Sequence, residues 1–416
     1  MKLLWLCGSA PGVIRSHISG KPASAVNWVD HVLSGLRQQG ITLRILYRGS
    51  GGEGTLDENC TYRSFGEALP YVYLQEQEEL FREELRSFQP DVIHCWGTEY
   101  GHTLAMVNAA RKETMLSRTV ASIQGLCVVL AEHYTDGIDE KTLKKRSFRD
   151  LVRRDDILQQ QEKFVLRGRL EVEALQKLRH VIGRTSWDRH HTTGRNPELT
   201  YHFCNETLRE DFYTGRWDYN RCRKHRIFAS SCAYPIKGFH YLLDAFAEVV
   251  KEYPDATLTV TGRSFFAKNI KETLRRGSYE SFLAQKARRL HLEDKITFLG
   301  HLTAEQMKKA YLDANVFVLP STMENSPNSL GEAMLLGVPC VAADVGGVKD
   351  LMAHGSEGYI YPSGETDILA QHILALFALK EKAAALGLAA RTHALKTHDP
   401  EKNLQDLLEI YRKLAM

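Results

Sequence analysis

Two glutamates, Glu324 and Glu332, stand eight positions apart in "ENSPNSLGEAMLLGVP", with a Pro-Asn-Ser turn between them. A helical pattern follows the turn, and a helix start carries free N–H groups and positive partial charge that favour anions. Carboxylates around such a start either cap and solubilise the helix or grip a ligand whose negative charge lies between them. The second arrangement suits a molecule with a diphosphate in the middle and polyols on either side. The amides of Asn328, Ser329 and Leu330 would take phosphate, Glu332 a pair of ribose hydroxyls, and Glu324 hydroxyls of a sugar. A nucleotide-sugar has that outline. The helix dipole accounts equally well for a glutamate in the first turns, so Glu332 alone decides nothing.

A second anion element is "SCAYPIKGFHYLLDAF", where Lys237 and Gly238 open a helix directly after a strand. An ammonium and N-terminal amides on one spot would neutralise a departing diphosphate. In "AADVGGVKDL", Gly346 and Gly347 let backbone approach a ligand closely, although tight turns use such pairs too.

The elements that must position these groups alternate strand and helix almost throughout. Strand patterns in the first half are "KLLWLC", "TLRILYR", "DVIHCW", "RTVASIQ" and "HVIGRT", with helices over 23–39, 73–88, 102–111 and a long helical region over 139–178. In the second half "HRIFASS", "ATLTVTG", "KITFLG", "NVFVLP", "PCVAAD" and "GYIYP" alternate with helices over 237–253, 269–289, 304–312, 328–336 and 366–378. Such alternation implies parallel sheets covered on both faces. With 416 residues the chain suits two domains, split in the polar stretch near 206–225. The expectation is an α/β protein: residues 1–205 and 206–399 as two Rossmann-like domains facing across a cleft, with a C-terminal helix over 400–416 packing back on the first. Open parallel sheets bind ligands beyond the carboxyl ends of their strands, and both anion elements lie there.

The ordered set "KG", "FLGHLTAEQMKKAYLDANVFVLPS", "ENSPNSLGEAMLLGVPCVAADVGG" and "GYIYPSG" over about 226–365 resembles the donor domain of a family 4 glycosyltransferase with the GT-B fold. Its E-x7-E motif is Glu324 to Glu332. The resemblance implies a retaining transferase that moves a sugar from a nucleotide-diphosphate sugar, UDP by family frequency, to a saccharide or lipid-linked acceptor in polysaccharide or glycoconjugate biosynthesis. It assigns Glu324 to the donor sugar, Glu332 to the ribose, Lys237 to the diphosphate, and the amides near Ser329 and Leu330 to the distal phosphate. His301 and Leu302 would lie beside the base, and a turn at Gly12, Gly20 and Lys21 near the donor phosphates. The chain departs from the family pattern twice. Cys232 stands where an arginine five residues before the lysine is usual, which makes Arg263 the substitute cation. Gln124 replaces an N-domain histidine; it can hydrogen-bond a sugar hydroxyl but cannot shuttle a proton.

Same-face attack needs no nucleophilic carboxylate, because the leaving oxygen takes the acceptor proton; the protein supplies positioning and charge stabilisation. No Asp-x-Asp occurs, so neither a metal nor any other cofactor is expected, and Asp136 and Asp139 read as loop and cap residues. Near the first domain's strand ends, His94, Glu99, His102 and His133 are more simply structural. Seven basic residues between Lys141 and Arg154 form either a helix that rests on anionic lipid or a solvated face balanced by Asp150, Asp155 and Asp156.

Composition narrows the class. A net charge of only +3 and the lack of any RNA- or DNA-binding signature argue against nucleic acid. Eight cysteines without C-x-x-C, several in apolar runs, fit a reducing compartment. The short apolar start "MKLLWLC" reads as a first strand, and no apolar run approaches the ~18–20 residues of a membrane span, so the expected location is cytoplasmic, with the inner face of the membrane as a peripheral option. Two other readings stay open at this point: a GT-B nucleotide-sugar epimerase, or a non-catalytic nucleotide-sugar-binding protein.

Overall fold

The computed structural model describes residues 1–21 and 28–416. Two compact units emerge: Met1–Val129 with Lys163–Arg209 and His398–Met416, and Leu130–Glu162 with Glu210–Thr397.

The first unit is built on eight strands: β1 (Lys2–Cys7), β2 (Thr42–Tyr47), β3 (Glu53–Asp57), β4 (Cys60–Ser64), β5 (Val92–Trp96), β6 (Thr119–Ser122), β7 (His180–Gly183) and β8 (Thr200–Phe203). Their order is β3-β4-β2-β1-β5-β6-β7-β8, all parallel except the β3–β4 hairpin. The central strands β1 and β5 are buried almost along their whole length, as their unbroken apolar runs require. The C-terminal helix Pro400–Leu414 starts on an Asp399 cap and buries Leu407, Leu408, Ile410, Tyr411 and Leu414 in this unit's core. The Tyr411 hydroxyl lies 2.6 Å from His94 Nδ1 and accepts from Trp5 Nε1 at 3.2 Å, and Ser122 Oγ is 2.7 Å from His94 Nε2. His94 is thus a satisfied core histidine whose pKa burial pushes down to about 3.

Beyond β5, Glu99 and Glu171 are buried together with the Arg167 guanidinium between them. Glu171 accepts from Thr98 Oγ1 at 2.7 Å and from the Val128 N–H at 3.2 Å. Burial first, then the neighbouring Glu99 charge, pushes the Glu171 carboxyl up to about 8. A carboxyl raised in the folded state keeps a proton that the unfolded chain releases. Its stabilising contribution is therefore complete below the unfolded value near 4.5 and is lost as pH rises towards 8. Glu171→Gln should remove that slope: between pH 5 and 8 wild type loses up to about 1 kcal/mol per pH unit relative to the variant. Chemical unfolding at several pH values checks this. Parallel curves would show that Glu171 does not hold its proton.

The second unit has six parallel strands: β9 (Arg226–Ala229), β10 (Thr257–Val260), β11 (Ile296–Phe298), β12 (Val316–Leu319), β13 (Cys340–Asp344) and β14 (Tyr359–Pro362). All six match the strand patterns of the sequence. Their order, β11-β10-β9-β12-β13-β14, is the doubly wound order, with its reversal between β9 and β12.

Several expected elements differ. The region 139–178 is not one helix but three, Glu140–Leu143, Phe148–Arg153 and Ile157–Lys177. Ser147 and Asp150 form a capping box and Arg154 ends the second helix in the left-handed region at φ +51°. Residues 130–162, expected in the first domain, belong to the second unit. His240 Nε2 lies 3.0 Å from Asp136 O, Thr322 Oγ1 donates to His133 O at 3.0 Å, and the Ser278 N–H donates to Asp150 at 2.8 Å. The helix over 269–289 breaks into Ile270–Arg275 and Ser278–Arg289. Gly12 lies not in a glycine-rich loop but at the start of the helix Gly12–Ser19, after Pro11, with Gly20 as its left-handed C-cap. The expected helix 23–39 is seen as Trp28–Gln38, with its first residues outside the described ones. The helix Lys380–Thr397 has no counterpart in the sequence reading because its buried stripe is small, Ala383, Gly387, Ala390 and Ala394 beside Leu386.

Candidate functional site

Two loops meet at the reversal of the second unit's sheet, one after β9 and one after β12. The first does not enter its helix directly. Pro235–Lys237 forms a 3-10 turn, Gly238 takes φ +62°, and the α-helix begins at Phe239. Lys237 is therefore held one turn before the helix rather than inside it. Only glycine fits at 238: a Cβ there would lie 1.8 Å from Pro320 O, in the backbone that leaves β12. This approach is secured by the Thr322 N–H, which donates to Ile236 O at 2.9 Å.

The result is a contact the sequence did not foretell. Lys237 Nζ donates to Glu324 Oε1 at 2.6 Å, and Ser321 Oγ donates to the same oxygen at 2.7 Å. The cation expected on a diphosphate and the carboxylate expected on a sugar neutralise each other. Ser321 was missed; nothing in its spacing distinguishes it from any loop serine. Behind Glu324 lies the β13 loop, whose Gly347 N–H donates to Glu324 O at 3.3 Å and Asn325 O at 3.1 Å.

The helix Asn328–Leu336 starts where expected, after Pro327 and without a side-chain cap. The N–H groups of Asn328 and Ser329 have no acceptor within a helix that begins there. Leu330 is different: its N–H already donates to Pro327 O at 2.9 Å, which removes it from the expected phosphate set. Glu332 is buried on the inner side of this helix, its Oε2 3.5 Å from the Tyr311 hydroxyl, which also donates to Ser329 O at 2.9 Å. Tyr311, from the helix Ala304–Asp313, thus ties both ends of the first turn and was not singled out from sequence.

His301, Leu302 and Arg263 come together with Cys232 around one cavity of about 440 Å³ beyond β9, β10 and β11. That volume suits a small-molecule ligand. Arg263 pairs with Glu280 at 2.9 Å, so its charge is already half committed, and Cys232 is a buried thiol pushed up to about 12 by burial. Cys232 therefore brings no charge to this wall. Gln124 and Gly12 belong to the first unit. Gln124 Nε2 donates to Glu206 Oε1 at 3.1 Å beyond β6, and Glu206 also pairs with Arg184 in a buried contact. That pair fixes the amide orientation of Gln124.

A lysine–carboxylate pair, two helix amides without an acceptor among the described residues and a base-sized cavity thus line the carboxyl ends of β9 to β12. Residues 221–393 match the family model of glycosyl transferases group 1. That segment contains Lys237, Arg263, His301, Glu324, Asn328, Ser329 and Glu332. Curated relatives include N-acetyl-alpha-D-glucosaminyl L-malate synthase of Bacillus anthracis, 28 % identical over 42 % of this chain and 42 % of its own length. The amylovoran biosynthesis glycosyltransferase AmsK of Erwinia amylovora is 31 % identical over 30 % of this chain and 32 % of its own. The matches thus span less than half the length of these relatives. Among solved structures, sucrose-phosphate synthase from Thermosynechococcus elongatus superposes with TM-score 0.72 at 16 % identity, covering 100 % of this chain and 99 % of that one. HepE of Anabaena, in complex with UDP-glucose, gives 0.66 at 19 % identity, covering 99 % and 100 %. At these identities the likeness concerns the fold, which is GT-B.

Proposed function

We propose that the protein is a retaining glycosyltransferase of family 4 type that moves a sugar from a nucleotide-diphosphate sugar, UDP-linked, to a saccharide or lipid-linked acceptor. The observation that carries this reading is the Lys237–Glu324 pair at the sheet reversal, beside the unpaired amides of Asn328 and Ser329. Diphosphate displaces Glu324 from Lys237 and takes the amides, which leaves the carboxylate to accept sugar hydroxyls. The base occupies the cavity by His301 and Leu302. Glu332, buried against the same first turn, accepts the ribose. Gln124 supplies a neutral amide for a donor-sugar hydroxyl.

In the transfer, the acceptor oxygen bonds to the anomeric carbon on the face from which the phosphate departs. The anomeric carbon–phosphate oxygen bond breaks, and the acceptor proton passes to the departing oxygen. Lys237 and the helix amides stabilise the charge that develops there without a metal.

The test is incubation with a panel of nucleotide-sugars, with and without crude acceptors, in the presence of chelator. Release of nucleoside diphosphate coupled to a glycosylated product is the expected outcome. Interconversion of the donor without diphosphate release would replace transfer by epimerisation. A thermal-shift panel should show stabilisation by the matching nucleoside diphosphate, since a ligand at a hundred times its Kd adds about 2.7 kcal/mol. Binding without either reaction would leave a nucleotide-sugar-binding protein.

A further inference from the structure

The helix Phe148–Arg153 is inside out. Its apolar residues Phe148, Leu151 and Val152, at i, i+3 and i+4, share one face and are 60 %, 60 % and 68 % exposed. Its buried face carries instead a carboxylate, Asp150, which accepts from the Ser147 and Ser278 N–H groups and from Arg149. The neighbouring helix Ile270–Arg275, which packs against it in the same unit, repeats the pattern with Ile270 80 % and Leu274 47 % exposed. Five large apolar side chains therefore project from two adjacent short helices, where an ordinary surface would hide them.

Charge around this knuckle is one-sided. Arg153, Arg154, Lys271 and Arg275 are exposed and have no carboxylate partner among the described residues, while Lys145 is exposed beside Asp139. The acids nearby are engaged: Asp156 with Arg146, Asp155 with Arg149, and Glu272 with the Lys268 N–H. A second copy of the same face would bring cation against cation. An acidic protein would answer the cations but would also have to supply apolar cover for five side chains on two short helices. A bilayer with anionic lipid satisfies both features, taking apolar side chains to the acyl boundary while cations meet headgroups.

We propose that these two helices form a membrane-docking face of the second unit, selective for anionic lipid. It differs from the single basic helix suggested by the sequence, because insertion rests on the apolar knuckle and the cations only surround it. No part of this inference depends on the sugar-transfer reading.

The test is co-sedimentation of the full chain with phosphatidylcholine vesicles, with and without about a quarter phosphatidylglycerol. Binding is expected only to the anionic vesicles at low salt. The double variant Phe148→Ser/Leu151→Ser, both residues exposed, should fold normally and lose binding about tenfold or more. Lys145→Glu/Arg153→Glu should lose it as well, whereas the knuckle alone would keep neutral binding. No sedimentation of wild type with anionic vesicles at low salt, or unchanged binding by the serine variant, overturns the proposal. So does a concentration-dependent dimer in solution that the serine variant abolishes, which would give the face to a second copy instead.

Discussion

Glu324→Gln is expected to lose sugar transfer by about 100- to 1000-fold while binding free nucleoside diphosphate more tightly than wild type does. The two effects pull in opposite directions because one carboxylate does two things. Glu324 holds Lys237 at 2.6 Å, so incoming phosphate must compete with it. The pair is partly exposed, Lys237 by about a third, and such a contact is worth about 1 kcal/mol, or about fivefold in the Kd of the diphosphate. Glutamine keeps the shape and the Ser321 contact but gives up the charge. Lys237→Ala, by contrast, loses both diphosphate affinity and transfer. Calorimetric titration of nucleoside diphosphate into the two variants, paired with product formation, reads both quantities. If Glu324→Gln weakened diphosphate binding as much as Lys237→Ala, the two residues would act on the same part of the ligand. The division between sugar and phosphate would then be wrong. Raising the salt should shrink the affinity gain, since competition between charges at a half-open site is screened.

The second unit was legible because its physics is local. Most strands are short, largely buried apolar runs, and Lys237, His301 and Glu324 lie in the loops that follow them, where open parallel sheets place their ligands. What stayed hidden depends on approach between distant segments. The Lys237–Glu324 pair requires the 3-10 turn at 235–237 to lie on the backbone after β12, an arrangement set by Gly238 and invisible in either segment. Leu330 looked like a phosphate donor until the turn at Pro327 claimed its N–H. In the first unit the hairpin β3–β4 carries mixed polar residues and the strand β8 is exposed at both ends, so neither shows an apolar period. The helix at 148–153 was legible only as a run of cations, and its exposed apolar face was not. Its apolar residues imply burial, and only the position of Asp150 reveals which face is turned inward.

Gly346→Ala is the substitution expected to damage the site most without touching a functional side chain. Residue 346 has φ +53°, and a Cβ there would sit 1.6 Å from Glu324 O, a backbone atom with no rotamer to yield. Left-handed strain costs about 1–2 kcal/mol and forced overpacking about 1–3, so about 2–5 kcal/mol of stability should go. In a unit of this size that lowers the melting temperature by about 5–15 °C. Relief can come only by moving the β13 loop away from Glu324, which breaks the Gly347 N–H contacts to Glu324 O and Asn325 O. Stabilisation by nucleoside diphosphate should therefore fall together with the melting temperature. Gly355→Ala separates the two causes: it has φ +77° with open space around the added methyl, so it carries the strain without the clash. It should lose only about 1–2 kcal/mol and keep its full response to the ligand. A Gly346→Ala protein that melts low yet gains as much from nucleoside diphosphate as wild type would show that the β13 loop supports the fold but does not hold Glu324 in place.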